Sequence, residues 1–214
     1  MNGVHAKAKL CTLTPMRRHF HSCLGLLGLV ATSASATITH GIDAEAQLPY
    51  WEVVDEGMSL RLVQRLPDQT RGFFMARGFD APQADMIAMS CVFQTVFRNT
   101  ATPDQGGDVD YHLRDWVVHA IGGRQGMKTR EDWRAVWVGK QAPKAAQVAF
   151  EWSLFPTQQT YRPGDYNWGM SIFNLAPGSA FDLDVVWRWH GKTRAVRIEK
   201  MRCADDLHPE PNSL

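Results

Sequence analysis

The segment FDLDVVWRWH, residues 181–190, has the most regular pattern in the chain. Apolar side chains take the odd-numbered positions from Phe181 to Trp189, and mostly charged side chains take the positions between them. Such a period of two is typical of a β-strand that turns one face to a hydrophobic core. The pattern therefore places Trp187 and Trp189 in a core and favours a fold built from antiparallel strands.

Other segments rich in β-branched and aromatic residues extend this sheet. They are separated by turns, among them a break at Gly57 and a flexible glycine-rich turn at residues 122–126. The alternation in residues 146–154, AQVAFEWSL, also predicts a strand, with Trp152 in the core. The predicted strands are 50–54, 59–66, 91–99, 111–119, 146–154, 168–175, 181–190 and 192–203.

Two regions change from this period of two to a helical period. Residues 69–90 predict a short helix pair hinged at Gly78, with Asp80 as the N-cap of the second helix. Thr129 is a candidate N-cap for one further short helix over residues 129–139. The sequence therefore predicts an α+β fold, mainly an antiparallel β-sandwich or barrel-like sheet, with these helices over one edge or face.

Residues 1–36 have the features of a secretory signal peptide. Arg17 and Arg18 precede the short apolar run at residues 24–31, and Ala36 ends an Ala-Ser-Ala cleavage motif. Met16 is a second candidate start, because Met-Arg-Arg makes a compact, positively charged beginning. The apolar run is much shorter than the roughly 20 residues of a membrane-spanning helix. We therefore expect a periplasmic or secreted protein with no integral membrane segment in the mature chain.

The formal charge of +1 belongs to the whole chain and would change on export. Cleavage after Ala36 would remove four of the 23 basic residues and none of the 22 acidic ones, which leaves a charge of −3. This mildly acidic chain has no long basic run and hence little electrostatic basis for binding nucleic acid.

The rest of the chain is expected to have three parts. Residues 37–48 have no strong period and predict a flexible N-terminal arm. Residues 49–204 show no change in composition and predict a single globular domain. Residues 205–214 predict a disordered tail, because they are short, terminal and contain two prolines.

The predicted mature chain keeps two cysteines, Cys91 and Cys203. In an exported protein such a pair is expected to form a disulfide. The alternative is a free thiolate or one bound to a metal. All eight tryptophans also remain, and Trp168, in a segment that passes from loop to strand, is the candidate ligand contact among them.

Catalytic motifs give no guidance, because the chain has no G-x-S-x-G, H-E-x-x-H or C-x-x-C. We therefore expect a non-catalytic binding or accessory protein with an unidentified ligand or partner. One alternative is a periplasmic metal-handling protein, in which sulfur ligands would favour copper. Another is an unrecognised hydrolase, since catalytic triads assemble from distant residues. The candidate metal ligands, not all in one site, are Met86, Met89, His112, His119 and His190.

Overall fold

Two antiparallel sheets and four helices make up residues 36–207, the part of the chain that the computed structural model describes. The sheets confirm the predicted α+β class. The elements in chain order are β1 Thr37–Ile42, β2 Pro49–Asp55, β3 Met58–Gln64, α1 Pro67–Met75, α2 Ala81–Ala88, β4 Val92–Asn99, β5 Val109–His112, a 3-10 turn Leu113–Asp115, β6 Val117–Ala120, β7 Gly123–Gly126, α3 Arg130–Gly139, α4 Lys144–Ser153, β8 Gln158–Tyr161, β9 Tyr166–Ile172, β10 Ala180–Trp189 and β11 Lys192–Arg202.

The first sheet has five strands in the order β1-β2-β3-β4-β9, and every neighbouring pair is antiparallel. Its strands alternate between an inner and an outer face. Leu60, Leu62, Phe93 and Phe97 are fully buried on the inner face. This burial orients the whole sheet, because a one-residue slip in register would turn these side chains to the outside.

The second sheet is organised around β10, which pairs along its length with β11. On its other side β10 pairs first with β6 and then with β5, which are separated by the 3-10 turn Leu113–Asp115. The predicted single strand at 111–119 is therefore wrong. The turn lets Leu113 and Trp116 both enter the core, and the Trp116 Nε1 donates a hydrogen bond to the Val186 carbonyl over 2.9 Å.

The inner faces of the two sheets share one hydrophobic core. The predicted alternation in residues 181–190 is confirmed, because Phe181, Leu183, Val185 and Trp187 are all buried there. Trp189, at the end of the strand, is half-buried.

A second correction concerns residues 122–126, which were expected to form a flexible turn. Residues Gly123–Gly126 form strand β7, which pairs with β6. Glycine has a low strand propensity, so local sequence does not predict this strand. A contact outside its own sheet stabilises the strand, since the Gln125 side-chain amide donates to the Phe173 carbonyl over 2.8 Å.

The predicted helix caps are confirmed. Asp80 caps α2, and its Oδ1 accepts a hydrogen bond from the Gln83 backbone nitrogen over 2.8 Å. At the start of α3 the Thr129 backbone nitrogen donates to the Asp132 carboxylate over 2.9 Å. These bonds satisfy amide groups that would have no partner at a helix N-terminus.

Residues 146–154 form most of helix α4 and not the predicted strand. Ala142, Ala146, Phe150 and Leu154 are spaced four residues apart and are all buried, so the helical face suits the core better than the alternating one. Trp152 lies on the opposite face and is 86% exposed, which overturns its predicted place in the core.

The four helices build a separate hydrophobic cluster on the outer face of the first sheet. Phe74, Trp133, Trp137 and Phe150 form its centre, with ring centroids about 5 Å apart. The cluster packs on one end of β4 and β9, where it meets Val92, Met170 and Ile172. At the other end of these two strands, Val96 and Trp168 are not part of this cluster.

Cys91 and Cys203 form the predicted disulfide, with their Cα atoms 5.3 Å apart. Cys91 directly precedes β4 in the first sheet, and Cys203 directly follows β11 in the second. The bond therefore ties the two sheets together at one end of the sandwich.

The chain ends differ from expectation where they are described. The expected flexible arm at 37–48 contains β1, which pairs with β2 over six residues. Near the other end, Asp206 accepts hydrogen bonds from Arg71 at 2.8 and 3.1 Å. Residues 1–35 of the predicted signal peptide, with the candidate start Met16, and residues 208–214 of the predicted disordered tail lie outside the described residues.

No helix within residues 36–207 is long and apolar enough to cross a membrane.

Candidate ligand-binding groove

An open groove lies on the outer face of the first sheet, beyond the end that the helices cover. Val96 on β4 pairs with Trp168 on β9, and Arg98 pairs with Tyr166. Alternation along both strands sends these four side chains to the same face. These side chains form the floor and one wall of the groove. Phe73 of α1 lines the end of the groove that lies next to the helices.

The groove has a volume of about 520 Å³, which is within the usual range for small-molecule sites. Its walls are mainly apolar, and Tyr166 and Trp168 are each 59% exposed. Exposed aromatic side chains grouped in a concavity are typical of interaction sites. The residues that line the groove are Arg65, Phe73, Gln94, Val96, Arg98, Tyr166, Trp168 and Met170.

Trp168 also borders a second cavity of about 440 Å³, so its ring forms a ridge between the two. The second cavity includes the exposed Trp152, which follows from the helical form of α4. Gly169 lets the backbone that follows α4 pack closely against β9, because a Cβ atom at this position would lie 2.5 Å from the Phe155 backbone nitrogen. The exposed Trp168 ring thus has an exposed aromatic ring on each side of it, Tyr166 in the groove and Trp152 in the second cavity.

A third cavity of about 590 Å³ continues across β3 and shares Arg65, Gln94 and Val96 with the groove. Its charges are largely paired. Arg61 donates to Asp43 and to Glu52, each over 2.9 Å. Hydrogen bonds from the Ala46 backbone nitrogen and from Arg61 hold the pKa of Asp43 below its ordinary value.

Arg65, at the junction of these two cavities, is charged but unpaired. Its side chain has no hydrogen-bond or ion-pair partner within residues 36–207, and its Nε is inaccessible to solvent. Burial lowers its pKa from the ordinary value, and no acidic side chain opposes that shift. A guanidinium in this state is incompletely solvated and gains from any anion that reaches it.

The structure does not gather the candidate metal ligands. Met86 and Met89 lie on or just after α2 in the helical layer, whereas His112 and His119 lie on β5 and β6 of the second sheet. No cluster of three or more His, Cys, Asp or Glu side chains with metal-binding geometry occurs in the described part of the chain. The disulfide also occupies the Cys91 sulfur.

Met89, His112 and His190 have other neighbours. The Met89 sulfur accepts a hydrogen bond from Arg71 over 3.4 Å. The His112 Nδ1 accepts one from the Arg114 backbone nitrogen over 3.1 Å. The His190 ring packs on Trp189, with centroids 4.6 Å apart.

His119 belongs to a charged network on the outer face of the second sheet. Its Nε2 lies 2.7 Å from the Asp184 Oδ2, and Arg197 donates to both oxygens of that carboxylate. Within residues 36–207 no hydroxyl or thiol group makes a hydrogen bond to His119. The network therefore lacks the nucleophile–base pair that a hydrolase of the triad type requires.

The same network predicts an acid-dependent loss of stability. Arg197 and His119 lower the pKa of Asp184 to about 2 from an ordinary value of 3.8. The carboxylate thus stabilises the folded state above pH 4, and this contribution disappears as the pH falls towards 2. At pH 7 we expect Asp184→Asn to reduce the free energy of unfolding by about 1 kcal/mol or less, because the network is partly exposed.

Urea unfolding at pH 7 and near pH 2 tests this expectation. The difference between Asp184→Asn and the wild type should shrink at the lower pH. Asp104→Asn, at an exposed position in the loop before β5, is the matched control for loss of one carboxylate. An equal difference at both pH values would contradict the prediction.

Comparison of the chain with known protein families, with characterised proteins and with solved structures finds no match. The geometry of the groove is therefore the basis for assigning a function.

Of the groove residues, Trp168 alone was a sequence-based candidate. Its exposure agrees with its place in a segment that passes from loop to strand. Arg65, Arg98 and Tyr166 were missed, because the register of β3, β4 and β9 brings them together across long sequence separations. The Trp-Gly pair at 168–169 was the available signal, since a glycine within a strand often marks a close backbone approach.

Proposed function

We propose that this protein is a non-catalytic binding protein, and that its ligand binds in the groove across Trp168. The supporting observation is the exposed ring of Trp168, which lies between two cavities. Tyr166, two residues earlier on β9, lies on the same face of the strand. Five of the other tryptophans are buried in the cores, so this exposure is not a general property of the chain.

We also propose that the protein acts in the periplasm or after secretion. Disulfides persist in oxidising compartments and are rare in the cytosol. The bond between Cys91 and Cys203 therefore agrees with the signal-peptide pattern of residues 1–36. Mass determination of the protein from the cell envelope should give a chain that begins near Thr37.

Indole, a neutral flat probe, tests the binding proposal. Titration of the isotopically labelled protein should shift amide resonances of β4 and β9 around Val96 and Trp168. Trp168→Ala should weaken indole binding by about fivefold or more, because the stacking surface is lost.

Ile121→Ala is the matched control, since Ile121 is also an exposed apolar residue but lies in the turn between β6 and β7. It should leave the affinity for indole unchanged. Equal affinity in the Trp168→Ala variant, or shifts confined to other surfaces, would exclude the groove as the binding site.

A further inference from the structure

We propose that the ligand of this groove is an organic carboxylate with an aromatic ring, and that Arg65 binds its carboxylate while Trp168 and Tyr166 bind the ring. The inference rests on the proposed function, because it names the ligand class of the same groove.

Arg65 is not engaged by an acidic side chain within residues 36–207. Most arginines of the described chain are engaged by acids, as Arg71 is by Asp68, Asp85 and Asp206. Arg65 has no such partner in residues 36–207, although its Nε is completely shielded from solvent. Because Arg65 lines the groove, an incoming carboxylate would accept hydrogen bonds from its terminal N–H groups, while the shielded Nε stays out of reach.

The charged side chains that line the groove are positive. Arg65 and Arg98 both line it, and no acidic side chain does. The Arg98 guanidinium carbon lies 5.0 Å from the centre of the Tyr166 ring, so it adds positive potential beside the aromatic wall. Neutral or cationic ligands of equal shape would leave this potential uncompensated.

Arg65 and Trp168 lie at separate positions along the groove. The Arg65 backbone nitrogen bonds to the Val92 carbonyl, while Trp168 pairs with Val96 four residues further along β4. Four residues of strand span about 13 Å. A ligand that contacts both residues therefore needs an acidic group set apart from its ring by a short arm.

Carboxylate is the favoured anion because of the donor geometry. A guanidinium presents parallel N–H groups that match the two oxygens of a carboxylate in one plane. The groove provides one shielded guanidinium of this kind, with Arg98 at a distance beside the ring wall.

Three probes of graded chemistry test the proposal by resonance titration: indole-3-acetate, its neutral isostere indole-3-acetamide, and acetate. We expect indole-3-acetate to bind about tenfold more tightly than the acetamide. Acetate alone should bind much more weakly than indole-3-acetate, because it lacks the ring. The preference for indole-3-acetate over indole-3-acetamide should weaken with added salt, because salt screens the interaction between charges.

The variant Arg65→Gln should abolish the preference, so that indole-3-acetate and indole-3-acetamide bind with equal affinity. Arg65→Lys should keep part of it, since the charge remains but the planar fork is lost. Arg124→Gln, which removes one exposed positive charge from β7 in the other sheet, is the control and should leave the preference intact.

The two proposals fail in different ways. If indole-3-acetate and indole-3-acetamide bind the groove with equal affinity, the assignment of an anionic ligand is wrong while the groove remains a binding site. The same conclusion follows if the Arg65→Gln variant still prefers indole-3-acetate. If acetate alone binds as tightly as indole-3-acetate, the ring contributes nothing and the ligand class is again wrong. If neither indole compound shifts the resonances of β4 and β9, the proposed function itself fails.

Discussion

Trp133→Ala should lower the free energy of unfolding by about 3–5 kcal/mol, the usual cost of removing a large buried aromatic side chain. Trp133 is fully buried in the helical cluster and stacks on Trp137, with centroids 5.0 Å apart and ring planes at 21°. Phe150 meets its edge at 5.4 Å. Its Nε1 makes no hydrogen bond within residues 36–207, so the loss would come from packing and from the cavity left behind.

Trp152→Ala is the matched control, because Trp152 is the same residue type on the neighbouring helix α4 but is exposed to solvent. Its effect on stability should be within about 0.5 kcal/mol. Urea unfolding of both variants measures the difference. A similar decrease in the free energy of unfolding for the two variants would contradict the helical form of α4 and would indicate that Trp152 is buried in the core.

Removing the disulfide should have an effect of similar size. The bond joins residues 112 apart in sequence, and the chain-entropy relation for so long a loop gives about 4–5 kcal/mol. The double variant Cys91→Ala, Cys203→Ala should therefore unfold at a much lower urea concentration than the oxidised protein. Both sulfurs are buried, so the smaller alanine side chains add a modest packing cost.

The wild type treated with a reductant is the matched comparison, because it loses the bond and keeps the side chains. Its stability should approach that of the double variant. Thiol titration of the denatured, unreduced protein provides the independent check. Detection of free Cys91 and Cys203 thiols, or equal stability with and without reductant, would contradict the role assigned to the bond.

Features set by short-range pattern were predictable from the sequence. The strand at 181–190 follows from a period of two that extends over the whole segment. The N-caps at Asp80 and Thr129 follow from side chains that bond to backbone amides three residues away: Asp80 accepts from the Gln83 amide, and Asp132 accepts from the Thr129 amide. The disulfide follows from two cysteines left in the predicted mature chain.

Features set by tertiary context were not. Residues 146–154 satisfy a strand pattern and a helical pattern equally well, and only the aromatic cluster around Phe150 selects the helix. The interruption between β5 and β6 depends on space for Leu113 and Trp116 between the sheets. The groove depends on register, since Arg65, Val96 and Trp168 meet only after three strands have paired.

The distribution of the eight indole rings gives the protein a built-in optical reporter. Trp152 and Trp168 are exposed, whereas Trp189 is half-buried and the other five are buried. A collisional quencher dissolved in water will reach first the rings of Trp152 and Trp168, which line the groove and the cavity beside it. Fluorescence that remains accessible to iodide therefore comes mainly from this site, and shielding from the quencher would report its occupation without any label.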